Sequence, residues 1–168
     1  LGNINANGIA GKTVTFANDV YATNIENTGT GATTFQANVV ATNVNVNAGT
    51  STFQDNLTAT TTTITTGTGN FNTVSGTTTS NLQFTDNGTA NLNNGLTGNV
   101  TTTADNKGTL NLVGSNNQTV TGTVGGVGAS LEKVSSGATG ATSTFVNNVY
   151  ANTVENTGTG ATTFQDNV

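Results

Sequence analysis

A phenylalanine recurs every 18 or 19 residues through the first half of the chain. Phe16, Phe35, Phe53 and Phe71 are separated by 19, 18 and 18 residues, and the spacing of 19 returns between Phe145 and Phe164. An aliphatic residue lies four positions after the phenylalanine in five of these units: Val20, Val39, Leu57, Val149 and Val168. A fixed period near 20 with one large apolar residue per unit is typical of a solenoid, in which each unit stacks on the next.

Each unit carries the pattern of three short strands. In the unit 14–32, Val14 and Phe16 alternate with polar residues, Val20 and Ala22 alternate again, and Ile25 begins a third apolar segment. Alternation with a period of two puts the apolar side chains on one face of a strand. The units 33–50 and 51–68 repeat the plan. The sequence therefore predicts an all-β fold, a parallel β-helix (β-solenoid) with about 18–19 residues per coil.

The predicted coils number eight or nine and form a rod about 40 Å long, because parallel neighbours lie about 4.8 Å apart. We expect a right-handed helix, since parallel crossovers are overwhelmingly right-handed. A left-handed helix has a similar coil length and stays open as an alternative, although its six-residue pattern of aliphatic corner residues is not visible.

The composition is compatible with a solenoid and with few other folds. Only 32% of the residues are hydrophobic and 7% are charged, which by itself would suggest disorder. However, proline is absent and the net charge is only −5, whereas threonine and valine favour strands. A narrow solenoid core needs few apolar side chains per coil, so this composition is sufficient for it.

A longer repeat lies over the short one. Residues 16–39 and 145–168 align without gaps at an offset of 129 and share 18 of 24 positions. The first and last units also lie within the pattern. We therefore expect residues 1–168 to be a single β-solenoid segment from a longer array of such blocks.

The register is less regular outside these units. Residues 1–13 are interpreted as the end of a preceding coil, with Ile4, Ala6 and Ile9 as candidate inward positions. Further on, Leu110 and Leu112 alternate in a predicted strand, and 119–124 is predicted to be another. We expect the glycine-rich stretch 125–128 and the following residues 129–134 to form a bulged coil or loop.

Two series of residues recur with the coil and have structural interpretations. The polar residue before each aliphatic position (Asp19, Asn38, Asn56, Asn148 and Asn167) predicts an internal ladder at a bend, where asparagine tolerates the left-handed region and its amide can bond the neighbouring coils. The phenylalanines predict a stack of rings in the core.

No catalytic, cofactor-binding or metal-binding residue is predicted, and we expect a protein that is not an enzyme. The carboxylates are Asp19, Glu26, Asp55, Asp86, Asp105, Glu132, Glu155 and Asp166. Paired carboxylates can hydrolyse glycosides, but Glu26 and Glu155 are copies of one position in the block repeat, and the chain has no histidine, cysteine or tryptophan. With only three basic residues, a nucleic-acid partner is not expected either.

Threonine pairs suggest one further activity, the binding of ice. The pairs at 28/30, 66/68, 77/79 and 157/159 could order water if they recurred at one point of every coil. The coil between the first two pairs has Asn47 and Gly49 at that point. The ladder defined by these pairs is thus broken, and ice binding is disfavoured on this argument.

The stretch 104–115, Ala-Asp-Asn-Lys-Gly-Thr-Leu-Asn-Leu-Val-Gly-Ser, and its continuation at 119–126 resemble passenger segments of rickettsial surface cell antigens. Those are autotransporter-type outer-membrane proteins, and the Phe-Gln-Asp-Asn-Val units are similar to β-strand repeats of that wider class. The resemblance implies export, an extracellular position on the bacterial cell surface, and attachment to host cells or other bacteria.

Two functions follow as hypotheses. The first is a non-catalytic structural and adhesive segment of a large bacterial cell-surface protein, a rigid stalk that also offers a contact surface. The alternative is a structural subunit of an extracellular filament, sheath or surface layer. The expected partners are neighbouring repeats of the same protein, a host or bacterial cell surface, or further copies stacked end to end.

Overall fold

The computed structural model describes residues 2–168, and the predicted β-solenoid is confirmed. Seventeen strands and no helix occur in that range: β1 (Asn3–Asn5), β2 (Thr13–Phe16), β3 (Val20–Asn27), β4 (Ala32–Phe35), β5 (Val39–Val46), β6 (Thr50–Phe53), β7 (Leu57–Ile64), β8 (Thr68–Phe71), β9 (Thr78–Phe84), β10 (Thr89–Leu92), β11 (Val100–Thr102), β12 (Thr109–Leu112), β13 (Gln118–Val120), β14 (Leu131–Ser136), β15 (Thr142–Phe145), β16 (Ala151–Asn156) and β17 (Ala161–Phe164). The chain makes about nine coils.

The strands form three parallel sheets. Sheet A has the order β1-β3-β5-β7-β9-β11, sheet B the order β16-β14-β12-β10-β8-β6-β4-β2, and sheet C the order β13-β15-β17. Neighbours within a sheet are always one coil apart, as stacking requires. The right-handed sense stays a prediction.

The long strands of sheet A each cover two sides of a coil. In β5, Val39 and Ala41 are buried before the middle of the strand, and Val44 and Val46 are buried after it. Buried positions would continue to alternate in a straight strand, so the step of three from Ala41 to Val44 marks a corner. The strand of sheet B supplies the third side, and the coil is three-sided as predicted.

The predicted ring stack is the core of sheet B. Phe16, Phe35, Phe53 and Phe71 occupy equivalent positions in β2, β4, β6 and β8, with ring centroids 4.9–5.4 Å apart and ring planes within 8° of parallel. Leu92 and Leu112 continue the column in β10 and β12. One apolar column therefore passes through six successive coils.

Phe145 and Phe164 belong to a different column. They stack on each other in sheet C, with centroids 5.2 Å apart, and Phe145 pairs with Val120 there. The sheet B column reaches Ser136 in β14 after six coils, which use 120 residues from Phe16. The remaining nine residues of the 129-residue offset carry the chain to the next side, so the second copy of the block is rotated by one third of a coil.

The coils lengthen after Phe71 because residues are inserted at the corners. Asn72 opens the first such turn with a φ of 56°, and it is 1% exposed. Its Nδ2 donates to the Asp55 carbonyl at 3.0 Å, and its Oδ1 accepts from the Thr78 hydroxyl at 2.6 Å. This side chain thus takes over hydrogen bonds that the interrupted ladder would otherwise supply.

Three local predictions need correction. Ile9 is 75% exposed rather than inward, whereas Ala6 is buried. The stretch 119–124 is a strand only at its start, where β13 ends at Val120. The predicted loop is confirmed at 125–128, where the backbone N–H groups of Gly126 and Ala129 each donate to the other residue's carbonyl oxygen in a tight turn. It does not extend through 134 as predicted. Residues 131–136 form strand β14, because Leu131 and Val134 are buried in the core.

Candidate contact surface

The outer side of sheet B carries two straight rows of short polar residues. We call the outward positions of β2, β4, β6, β8, β10 and β12 the threonine face. Its first row is Thr13, Ala32, Thr50, Thr68, Thr89 and Thr109, and its second row is Thr15, Thr34, Thr52, Asn70, Asn91 and Asn111. Ten of these twelve side chains are half-buried, and the two at Thr13 and Thr15 are exposed.

The threonine face is regular because the core beneath it is regular. Neighbouring strands in a sheet are usually rotated by about 20° relative to one another. The phenylalanine rings on the inner side of the same strands deviate from parallel by only 8°, 5° and 2° from one coil to the next. Parallel rings at equivalent positions are expected of strands that twist little, so we expect the rows outside these four strands to be nearly flat.

The hydroxyl groups of the face are available to solvent except that of Thr52, which accepts from Asn70 Nδ2 at 3.4 Å. Within residues 2–168, the side chains of Thr13, Thr15 and Thr34 and those of the first-row threonines make no hydrogen bond to protein. The asparagines of the second row bond along the row: Asn91 donates to Asn70 at 2.8 Å, and Asn111 donates to Asn91 at 2.9 Å. The face consequently combines fixed amides with free hydroxyls and carries no charge.

The threonine pairs named from the sequence do not form one surface. Thr68 is in the first row of the face, but Thr66 lies outside any strand, and Thr79 belongs to sheet A, where it pairs with Thr58. The pairs that form the threonine face directly precede the stacked apolar residue, as Thr50 and Thr52 precede Phe53. In five of the six strands the sequence signal is Thr-x-Thr or Thr-x-Asn followed by Phe or Leu, and in β4 Ala32 takes the first position.

The predicted asparagine ladder is present, but at a corner and half-exposed rather than inside. Asn38 Nδ2 donates to Asp19 Oδ1 at 3.0 Å, Asn56 Nδ2 donates to Asn38 Oδ1 at 2.8 Å, and the Thr77 backbone N–H donates to Asn56 Oδ1 at 2.9 Å. None of these residues has the positive φ that was expected; among described non-glycine residues only Asn72 and Asn106 do. The ladder ties four successive coils together through side chains.

The carboxylates of the chain lie mainly in structural contacts. Asp86 accepts from Lys107 Nζ at 2.8 Å, and Glu155 pairs with Lys133 at 2.5 Å. These lysine contacts lower the pKa of both carboxyls below their ordinary values, and hydrogen bonds from Ser130 lower the pKa of Asp105. Among residues 2–168, no group of three acidic side chains is arranged to hold a metal ion.

The chain was compared with protein-family models, curated proteins and solved structures. No family model, no curated protein and no solved structure matches it. Over the described range, the fold also has no helix of the length and apolarity needed to cross a membrane.

Proposed function

We propose that this chain is a non-catalytic structural and adhesive segment of a large bacterial cell-surface protein. The observation that carries the proposal is the continuity of the core, in which one apolar column passes through six successive strands of sheet B, from β2 to β12. A core that extends along an axis, with each coil contacting only its neighbours, gives a rod whose length grows with the number of repeats. That is the property that a stalk requires.

The distribution of charge supports a role without catalysis. Lys107 and Lys133 are each paired with a carboxylate from a neighbouring coil, and Asp105 accepts hydrogen bonds from Ser130. These contacts bind one coil to the next, which is a structural use of charge. A glycoside-cleaving site would instead need two carboxylates across an open groove.

An adhesive role is supported by the threonine face, which carries no charge. Parallel rows of threonine and asparagine offer hydroxyl and amide groups to another surface along several coils. Such a face suits broad contact with a host or bacterial cell surface, or with another copy of the same rod. An extracellular location also fits the lack of cysteine, because no thiol is exposed to oxidation.

The location is tested by antibodies raised against the purified chain. Intact producing cells should be labelled, and brief external protease treatment should remove the label. Labelling that appears only after the cells are permeabilised would contradict the proposal.

Electron microscopy of the purified chain separates the stalk from the filament alternative. A stalk segment should appear as short single rods at all protein concentrations. Long ordered fibres that form as the concentration rises would favour the structural subunit of a filament, sheath or surface layer.

A further inference from the structure

We propose that the threonine face binds ice. This inference does not depend on the proposed function, and it reverses the expectation drawn from the threonine pairs in the sequence. The reversal comes from the strand register, which puts eight threonines into two straight rows, a different set from the sequence pairs. Both rows carry threonine in β2 and β6, and one row does in each of the other four strands.

The rows of the threonine face have a regular spacing in two directions. Equivalent residues in successive coils lie about 4.8 Å apart along the axis, and positions i and i+2 of a strand lie about 6.6 Å apart across it. The phenylalanine centroids beneath the face are 4.9 to 5.4 Å apart, slightly more than this axial repeat. These two perpendicular distances are close to the a and c repeats of hexagonal ice. Water held at each position can therefore continue into the crystal lattice.

Eight of the twelve positions of the face carry threonine, whose chemistry suits contact with ordered water. A threonine presents a methyl group, around which water is ordered, and a hydroxyl group, which can anchor that water. The hydroxyls of Thr50, Thr68 and Thr89 have no protein partner within the described chain, so each is free to bond water. Threonine is branched at Cβ and therefore has few side-chain conformations to lose on binding.

We expect the threonine face to be flat, and it carries no charge. A crystal face is planar, so a twisted sheet could match it over only a few strands. The parallel rings lead us to expect little twist over four coils, and no charged side chain interrupts the rows between β2 and β12. The face ends at β14, where Lys133 takes the first-row position.

The experiment measures the gap between the melting and freezing points of a small ice crystal in a solution of the purified chain, and the fraction of chain captured by a growing ice shell. We expect a measurable gap, faceted crystals, and enrichment of the chain in the ice. A folded chain that shows no gap and is excluded from the ice would overturn the proposal. Retention on crystalline cellulose without affinity for ice would also overturn it.

A matched pair of variants assigns the activity to the face. Thr68→Lys puts a long charged side chain in the middle of the first row, and we expect it to reduce the gap at least five-fold. Thr63→Lys makes the same change at an outward, half-buried position of β7 in sheet A, and it should leave the gap unchanged. Equal effects of the two variants, with circular dichroism showing both folded, would contradict the assignment to the threonine face.

Discussion

Phe35 and Phe53 lie in successive coils with their ring centroids 5.0 Å apart and their planes only 5° from parallel. Each ring is 1% exposed, so the pair is enclosed by the coil on all sides. This contact combines the two requirements of the fold, because it fills the core of each coil and fixes the position of the next.

Replacing Phe53 with alanine should destabilise the chain strongly. The substitution opens a cavity in the middle of the ring column, and such changes cost about 3–5 kcal/mol. Phe53→Leu should cost less, since Leu92 and Leu112 already occupy the same column. Urea unfolding followed by circular dichroism measures the difference. Val127→Ala, at a position 89% exposed, is the control and should not change the midpoint.

Removal of the Asn72 side chain tests whether its hydrogen bonds stabilise the first inserted turn. Asn72→Ala loses the bonds to Asp55 and Thr78 and leaves a residue that disfavours a positive φ. We expect a loss of about 1–3 kcal/mol, the range for a buried polar group left without its partner. Val74→Ala changes the same turn at a side chain 73% exposed and should be neutral. Equal midpoints for the two variants would show that the turn does not depend on Asn72.

A pair of glycine substitutions tests how closely the coils approach. Gly98 has a φ of 142°, and a Cβ built there would lie 2.1 Å from the Ser80 carbonyl oxygen of the neighbouring coil. Gly98→Ala must therefore push two coils apart, and we expect a clear fall in melting temperature. Gly126→Ala meets nothing within 4 Å and should melt like the parent chain. A parent-like melting temperature for Gly98→Ala would argue against the close packing of these coils.

The free energy of unfolding should decrease as the pH is lowered, but only in the acid range. The pKa values of Asp86, Asp105 and Glu155 lie below their ordinary values of 3.8 for aspartate and 4.5 for glutamate in the folded chain. Because the folded pKa is the lower one, the stabilisation is present above the ordinary value and is lost as the pH falls through the folded value. The urea midpoint should thus be constant from about pH 6 to 8 and decrease below about pH 4.

Paired substitutions show whether the carboxylates cause the acid effect. Asp86→Asn and Glu155→Gln remove the partners of Lys107 and Lys133, so the combined variant should lose part of the acid sensitivity. The side chains of the Lys107–Asp86 pair are 34% and 44% exposed, so added salt should weaken the effect. An unchanged acid profile in the variant would assign the sensitivity to other groups.

The sequence was sufficient to predict the fold because the coil repeat is carried by a few strongly apolar positions. The spacing of Phe16, Phe35 and Phe53, and the alternation around them, defines both the coil length and the inward face. The asparagine ladder was predictable for the same reason, since Asn38 and Asn56 recur at one point of the coil and face each other. Its half-exposed position depends on the corner geometry, which composition does not reveal.

The position of each residue around the coil could not be predicted after Phe71, because residues are inserted at the corners from there on. Turns such as the one at Asn72 add residues outside the strands, so sequence spacing no longer reports position around the coil. For that reason Phe145 has the spacing of the first column but lies on another side. The Thr-x-Thr spacing alone does not locate the threonine face, because its rows are defined by their distance from Phe53 and its equivalents.

Disulfide formation between engineered cysteines tests the stacked parallel coils most directly, because the chain contains no cysteine of its own. Val40 and Thr58 pair across adjacent strands of sheet A, and Thr58 pairs with Thr79 one coil further along. The first two Cα atoms should lie about 4.8 Å apart, whereas Val40 and Thr79 should lie about 10 Å apart. A disulfide forms only when the Cα atoms are within about 7 Å. We predict that the Val40→Cys/Thr58→Cys variant forms its disulfide rapidly and completely in mild oxidant, and that the Val40→Cys/Thr79→Cys variant does not. Faster cross-linking of the second variant, or equally slow cross-linking of both, would contradict the solenoid.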